Sequence, residues 1–264
     1  CEIDEQHPDD WLFEAWLPDE PTPADREAVA ALFAGDAPDL VAEQVPDTDW
    51  VTESQQRVTP IRAGRFHVHT PDHPADPNAV DLVIPASQAF GTGQHATTAG
   101  CLAMLDLMKR EGASIRHHAD IGTGTGLLAF AAMRLWPNAL ATASDIDPVC
   151  AGVLADNAAS NGVSLGGGRG ELLFTVADGM SDPLLQARAP FDLLIANILA
   201  GPLAEMAEDL CAAVTTGGSI VLAGLLETQE ARVRAAYRRQ GARLARRLVK
   251  GDWSILWLRT SRIR

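Results

Sequence analysis

Residues 119–126 read Ala-Asp-Ile-Gly-Thr-Gly-Thr-Gly, an acid and one apolar residue followed by three glycines at alternate positions. The stretch before it can form a strand, and Leu127-Leu128-Ala129-Phe130-Ala131-Ala132-Met133 after it reads as a helix. Glycine takes positive φ without penalty and lets a ligand come close to the main chain. A helix start offers unpaired N–H groups and a positive dipole end, which suit a carboxylate or phosphate. Strand, glycine loop and helix together predict a site for a nucleotide-like cofactor.

Spacing narrows the choice. The dinucleotide fingerprint is G-x-G-x-x-G, whereas Gly122, Gly124 and Gly126 give G-x-G-x-G and Leu127 stands where the last glycine would be. No Lys-Ser or Lys-Thr pair follows, so the P-loop fails as well. Asp120, directly before the loop, suits a ligand with a positive amino group; S-adenosyl-L-methionine (AdoMet) carries that ammonium beside a carboxylate. Asp145 lies 23 residues past Gly122, at the end of Ala139-Leu140-Ala141-Thr142-Ala143-Ser144. An acid at the tip of a second strand accepts hydrogen bonds from two ribose hydroxyls. AdoMet and NAD share that ribose, so Asp145 alone does not separate them.

Beyond Pro85 the pattern is regular. A helix over 97–110 carries Cys101, Leu102, Leu105 and Met108 on one side. Strands near 117–121, 139–145, 171–177, 191–196 and 219–225 then alternate with helices near 126–135, 148–160, 200–213 and 227–240. Such alternation predicts a parallel sheet covered on both faces. Arg243 to Val249 and Trp253 to Leu258, joined across Gly251-Asp252, predict a closing antiparallel hairpin. The expected fold class is α/β, a Rossmann-like, mostly parallel sheet ending in an antiparallel hairpin. This is similar to the class I AdoMet-dependent methyltransferases, whereas NAD domains usually stay parallel throughout.

The front of the chain differs. Residues 1–60 hold sixteen Asp and Glu against Arg26 and Arg57, which accounts for the whole chain's net charge of −14. An acidic unit on a neutral body suits steering of a basic partner and disfavours nucleic-acid phosphates. Trp11 to Leu17 alternates like a strand, Pro23 to Gly35 reads as a helix capped by Thr22, and Leu40 to Val45 reads as a further strand. We therefore expect a small α+β domain over 1–50, incomplete at its start since Cys1 rather than Met opens the chain. A Pro-, His- and Asp-rich linker and docking segment is expected over 51–84, with Arg65 to His69 as one strand, and the cofactor-binding domain over 85–264. No apolar run approaches the length of a membrane span, and the four scattered cysteines look like thiols in a reducing compartment, which points to the cytoplasm.

Two further segments carry a resemblance. Ala89-Phe90-Gly91-Thr92-Gly93-Gln94-His95-Ala96-Thr97-Thr98 precedes the glycine loop, and Ala196-Asn197-Ile198-Leu199-Ala200 follows the fourth strand. With Asp120–Gly126 and Asp145-Ile146-Asp147-Pro148, they closely resemble the bacterial PrmA family, which methylates protein eleven of the large ribosomal subunit. The resemblance runs from about Asp47 to the end and, more weakly, through the acidic front, where the family recognises its substrate. It implies an AdoMet-dependent protein methyltransferase acting on lysine side chains and the α-amine of that protein, with no direct nucleic-acid binding required and no membrane.

It also implies cofactor contacts at Thr98, Gly122, Asp145 and Asn197, beside Gly124 and Asp120 from the loop itself. His95 is a further candidate for cofactor or substrate, or a cap of its loop. Asp147 is expected to cap the helix opened by Pro148, and Asp178 follows the third strand where related methyltransferases often contact adenine. Ser87 replaces the usual Gly, and Thr123 and Thr125 replace the Cys and Ser often seen in the loop. No general base stands out, no metal is needed, and the seven histidines offer no ligand set. A same-fold enzyme acting on another protein or a small amine, a nicotinamide oxidoreductase and a non-catalytic binding module remain as alternatives.

Overall fold

The computed structural model describes residues 17, 20–33, 40–42, 59–85 and 94–261. The chain divides into two units, 1–49 and 50–264. In the first, helix α1 spans Pro23–Ala30. Thr22 caps it as expected: its hydroxyl accepts the Asp25 N–H, and the Asp25 carboxylate accepts the Thr22 N–H in return (2.9 Å). Leu40, Val41 and Ala42 belong to no regular element; residues 11–16 and 43–45, also read as strand, lie outside the described residues.

The second unit opens with a three-stranded sheet where a linker was expected. It consists of β1 (Ile61–Ala63), β2 (Phe66–His69) and β3 (Val80–Val83), in the order β1-β2-β3. The cause is burial. Phe66, Val68, Leu82 and Ile84 enter the same core as the long helix α2 (Gln94–Arg110). Asn161 completes the docking by bonding both backbone groups of Val83, its Oδ1 accepting the N–H (2.9 Å) and its amide donating to the carbonyl (2.7 Å). Folding also brings Asp81 of β3 against His67 and His69 of β2.

The main sheet is built from β4 (His117–Ile121), β5 (Leu140–Asp145), β6 (Ser164–Leu165), β7 (Glu171–Val176), β8 (Phe191–Asn197), β9 (Val214–Leu226), β10 (Arg243–Lys250) and β11 (Trp253–Arg259). Between them run α3 (Leu127–Leu135), α4 (Cys150–Ser160), α5 (Pro183–Arg188), α6 (Ala200–Glu205), α7 (Ala207–Ala212) and α8 (Glu227–Arg239). The order is β10-β11-β9-β8-β4-β5-β7-β6. Strands β4 to β9 pair in parallel, while β11 is antiparallel to both β9 and β10. The closing hairpin thus inserts its second strand between the sheet and its first.

Side chains alternate across the sheet, as a pleated strand requires. Leu193, Ile195, Val221 and Ala223 face α2 and α3, and Leu194, Ala196, Ile220 and Leu222 face the helices from α5 to α8. The helix read over 200–213 is broken at Met206, yet its N–H still bonds the Pro202 carbonyl and its carbonyl accepts from Leu210. Strand β9 begins five residues earlier than its pattern suggests, because Val214 pairs with Phe191 ahead of the Gly217-Gly218 irregularity. Among the described residues no helix is long and apolar enough to cross a membrane.

Candidate active site

The chain order reverses beside β4: β5 and β7 extend one way, and β8 returns to pair on the other side. Ligands of open α/β sheets bind outside the carboxyl ends of the strands at such a switch point. The glycine loop follows β4 and Asn197 ends β8, so both lie at this crevice.

The loop is hung from the neighbouring strand. Gly122 and Thr123 both donate their N–H groups to the Ser144 carbonyl (2.8 and 2.9 Å). Gly122 has φ +72°, and a Cβ there would fall on Ile198 Cγ2. Gly124 is different: a Cβ on it would meet nothing within 4 Å. Its backbone therefore faces open space, as a ligand cradle requires.

Two acids shape this loop from either side. Asp145, at the end of β5, accepts the Gly124 N–H on Oδ2 (2.8 Å) and the Asp147 N–H on Oδ1 (3.1 Å). A carboxylate has about four acceptor positions, so both oxygens keep capacity for hydroxyl donors. Asp120 is only 1% exposed. Its Oδ2 accepts from the Thr123 hydroxyl (2.7 Å) and the Ala129 N–H (3.0 Å), which ties strand, loop and helix start together. Thr123 thus does structural work in the loop. Asp120 Oδ1 is buried without a hydrogen-bond partner. Burial lifts this carboxyl to about 7, the Thr123 and Ala129 bonds working against that and the Asp145 charge adding to it.

Asn197 is half-buried, and among the described residues no side-chain bond engages its amide. Its position is fixed by the residue after it. Ile198 presses its side chain on Gly122 from one direction, and Gly224 of β9 (φ +84°) meets its backbone from another. A Cβ on Gly224 would overlap the Ile198 carbonyl oxygen and lie 2.7 Å from its carbon. Gly224 was not a candidate from the sequence, since nothing local to it signals a neighbour 26 residues away.

Thr98 is half-buried near the start of α2. Gly100 of the same helix sits against Ile255, which β11 holds beside Leu222 and Leu225, while Asn197 pairs with Ala223. The start of α2 is therefore level with the carboxyl end of the sheet, where Gly122, Gly124, Asp145 and Asn197 also lie. Residues 86–93 and the His95 side chain lie outside the described residues. Asp147 was expected to cap a helix opened by Pro148; α4 instead starts at Cys150 with no side-chain cap, and Asp147 Oδ1 accepts the Val149 N–H (2.9 Å) in the turn before it. Asp178 is exposed after β7, and its backbone carbonyl accepts from Ser181. Sequence reading missed the apolar rim of this edge: Ile146, Val149 and Leu199 are exposed at 66, 69 and 71%.

Open space over Gly124, spare acceptor capacity on Asp145, an Asn197 amide that no side chain among the described residues engages, and exposed aliphatic side chains fit a ribose, an amine and a flat base. A parallel sheet with a reversed β11 and this carboxyl-edge site defines an AdoMet-dependent methyltransferase of the α/β class, and its cofactor is AdoMet. The chain belongs to the PrmA family: the family model described as ribosomal protein L11 methyltransferase (PrmA) matches residues 12–261. A ribosomal protein L11 methyltransferase of Rhizobium meliloti is 44% identical over 82% of this chain and 72% of its own length. One from Agrobacterium fabrum is 39% identical over 98% of this chain and 87% of its own. The solved ribosomal protein L11 methylase from Lactobacillus delbrueckii subsp. bulgaricus superposes with a TM-score of 0.63 at 23% identity, over 78% of this chain and all of that one. That last likeness is one of fold.

Proposed function

We propose that this enzyme transfers the methyl group of AdoMet to amine nitrogens of ribosomal protein L11, at lysine side chains and the α-amine, in the cytoplasm. The observation that carries the reading is the Asn197 amide, engaged by no side-chain bond among the described residues and held at the switch point by the Ile198 wedge between Gly122 and Gly224. AdoMet supplies an electrophilic methyl on a sulfonium. Asp145 binds the ribose hydroxyls, Gly124 admits the cofactor to the main chain beside Gly122, which seats Ile198, and Thr98 closes on it from α2. Asp120 holds the loop in shape, its Oδ2 bonded to Thr123 and Ala129 and its Oδ1 buried without a partner.

The acceptor must be a neutral amine, and a free lysine with pKa of about 10.4 is mostly charged at pH 7. Desolvation beside a positive charge lowers that pKa. The Asn197 carbonyl accepts the amine's N–H and aligns its lone pair with the methyl, so positioning supplies most of the acceleration. The acidic 1–50 segment, with fifteen Asp and Glu against the single basic side chain of Arg26, steers the basic substrate. No nucleic-acid contact is required by this chemistry.

The test is transfer of label from methyl-labelled AdoMet to ribosomes from cells lacking the enzyme. We expect label on L11, at lysines and the N-terminus. Label on another protein, or none on L11, would overturn the substrate assignment.

A further inference from the structure

We propose that His67, His69 and Asp81 form a binding site for a divalent transition-metal ion of the zinc type, clipping β2 to β3. None of these residues has a part in the cofactor site.

The site follows from strand geometry. Phe66 and Val68 are committed to the core, so His67 and His69 share the opposite face of β2. Strand β3 runs parallel, with Asp81 directly beside His67 in the register. The two rings stack with centroids 5.0 Å apart. The Asp81 carboxylate spans both of them, Oδ1 lying 2.7 Å from His67 Nδ1 and Oδ2 lying 2.9 Å from His69 Nε2. One donor atom from each residue lies within 4.8 Å of the other two.

The hydrogen bonds also orient the His69 ring. His69 Nδ1 lies 2.7 Å from the Thr70 carbonyl oxygen. A carbonyl only accepts, so Nδ1 donates its N–H to it and Nε2 is the nitrogen that faces Asp81 Oδ2. Metal-bound histidines typically give their other ring N–H to a carbonyl or carboxylate, which fixes the tautomer. His69 is arranged this way.

One cation satisfies all three donors at once. Zinc binds imidazole nitrogen at about 2.0–2.1 Å and carboxylate oxygen at about 2.0–2.2 Å in a tetrahedron. Ligand atoms then stand roughly 3.3 Å apart, so the two nitrogen–oxygen contacts must widen within a set whose atoms already lie inside 4.8 Å of one another. Two nitrogens and one oxygen favour a first-row transition metal over the oxygen-preferring magnesium or calcium. Both imidazoles are buried, while Asp81 is partly exposed and leaves a route and a water position on its side. Burial works to raise the Asp81 carboxyl, but the Asp76 N–H and the two histidines outweigh it and hold it below its ordinary value. The neighbouring cation Arg62 is engaged by Asp76 (2.6 Å).

The experiment uses the full chain without an affinity tag, stripped by chelator and titrated with Co²⁺ and then Zn²⁺. We expect one equivalent of Co²⁺ to give the visible absorption of a low-coordinate nitrogen and oxygen site, lost when Zn²⁺ displaces it. Saturating Zn²⁺ should raise Tm. In the wild-type protein, ¹⁵N spectra should show two of the seven imidazoles shifting, one at Nδ1 and one at Nε2. His69→Gln and Asp81→Asn should each weaken binding about 100-fold while AdoMet binding persists. Absence of saturable binding in the wild-type chain would overturn the proposal, as would undiminished binding in both variants or shifts at other imidazoles.

Discussion

Asp145→Ala is expected to weaken AdoMet binding about 100-fold with the fold retained. A hydrogen bond to a charged group contributes about 1.5–3 kcal/mol. Losing two ribose bonds, partly replaced by water, leaves a deficit of about 3 kcal/mol, which corresponds to two decades in Kd. A second loss comes from within the protein, because the Gly124 N–H gives up its acceptor at Oδ2 (2.8 Å) and the cradle relaxes. Asp145→Asn should fall between the two, since its amide keeps one acceptor. Calorimetric titration of the three proteins checks this. Affinity unchanged in a folded Asp145→Ala variant would remove the ribose role.

Gly224→Ala is expected to be among the most damaging single-methyl changes in the chain. The added Cβ would meet backbone of Ile198, which cannot swing aside as a side-chain tip can. Overpacking costs about 1–3 kcal/mol, and an L-residue held at left-handed φ adds about 1–2 kcal/mol. Together they amount to about 3 kcal/mol, or roughly 6–12 °C in Tm for a domain of this size. Activity should fall further than stability implies, because relief of the clash displaces Asn197. Gly152→Ala is the control: it sits in α4 with open space around its Cβ position. There alanine should be neutral or stabilise by about 0.5–1 kcal/mol. Thermal unfolding of the two variants separates these expectations, and a loss below 2 °C for Gly224→Ala would refute the close approach.

The sheet was legible because its signals are local. Strands β4, β5, β7 and β8 are each a short apolar run beside a helix-period segment, and the glycine loop marks the joint at β4, whereas the two exposed residues of β6 carry no such signal. Asp145 was legible for the same reason, lying at a countable distance from Gly122 at a strand tip. The three-stranded sheet was not. Its strands of three and four residues are too short to show a period, and their stability comes from partners far along the chain. Asn161 reaches Val83 across 78 residues, and Phe66 and Val68 are buried by α2 and its neighbours. Prolines, histidines and aspartates therefore read as a linker. The His67–His69–Asp81 cluster was hidden for the same reason. H-x-H in a strand puts both rings on one face, but the third ligand appears only when β3 pairs with β2. Gly224 shows the limit most plainly: the spacing around it is that of any strand end, and only the placement of Ile198 makes it obligatory.

The claim beneath all of this is that the crevice between β4 and β8 holds AdoMet. Calorimetry of the purified protein with AdoMet and, separately, with NAD addresses it directly. We predict one AdoMet bound per chain and no heat from NAD; tight NAD binding without AdoMet binding would contradict it.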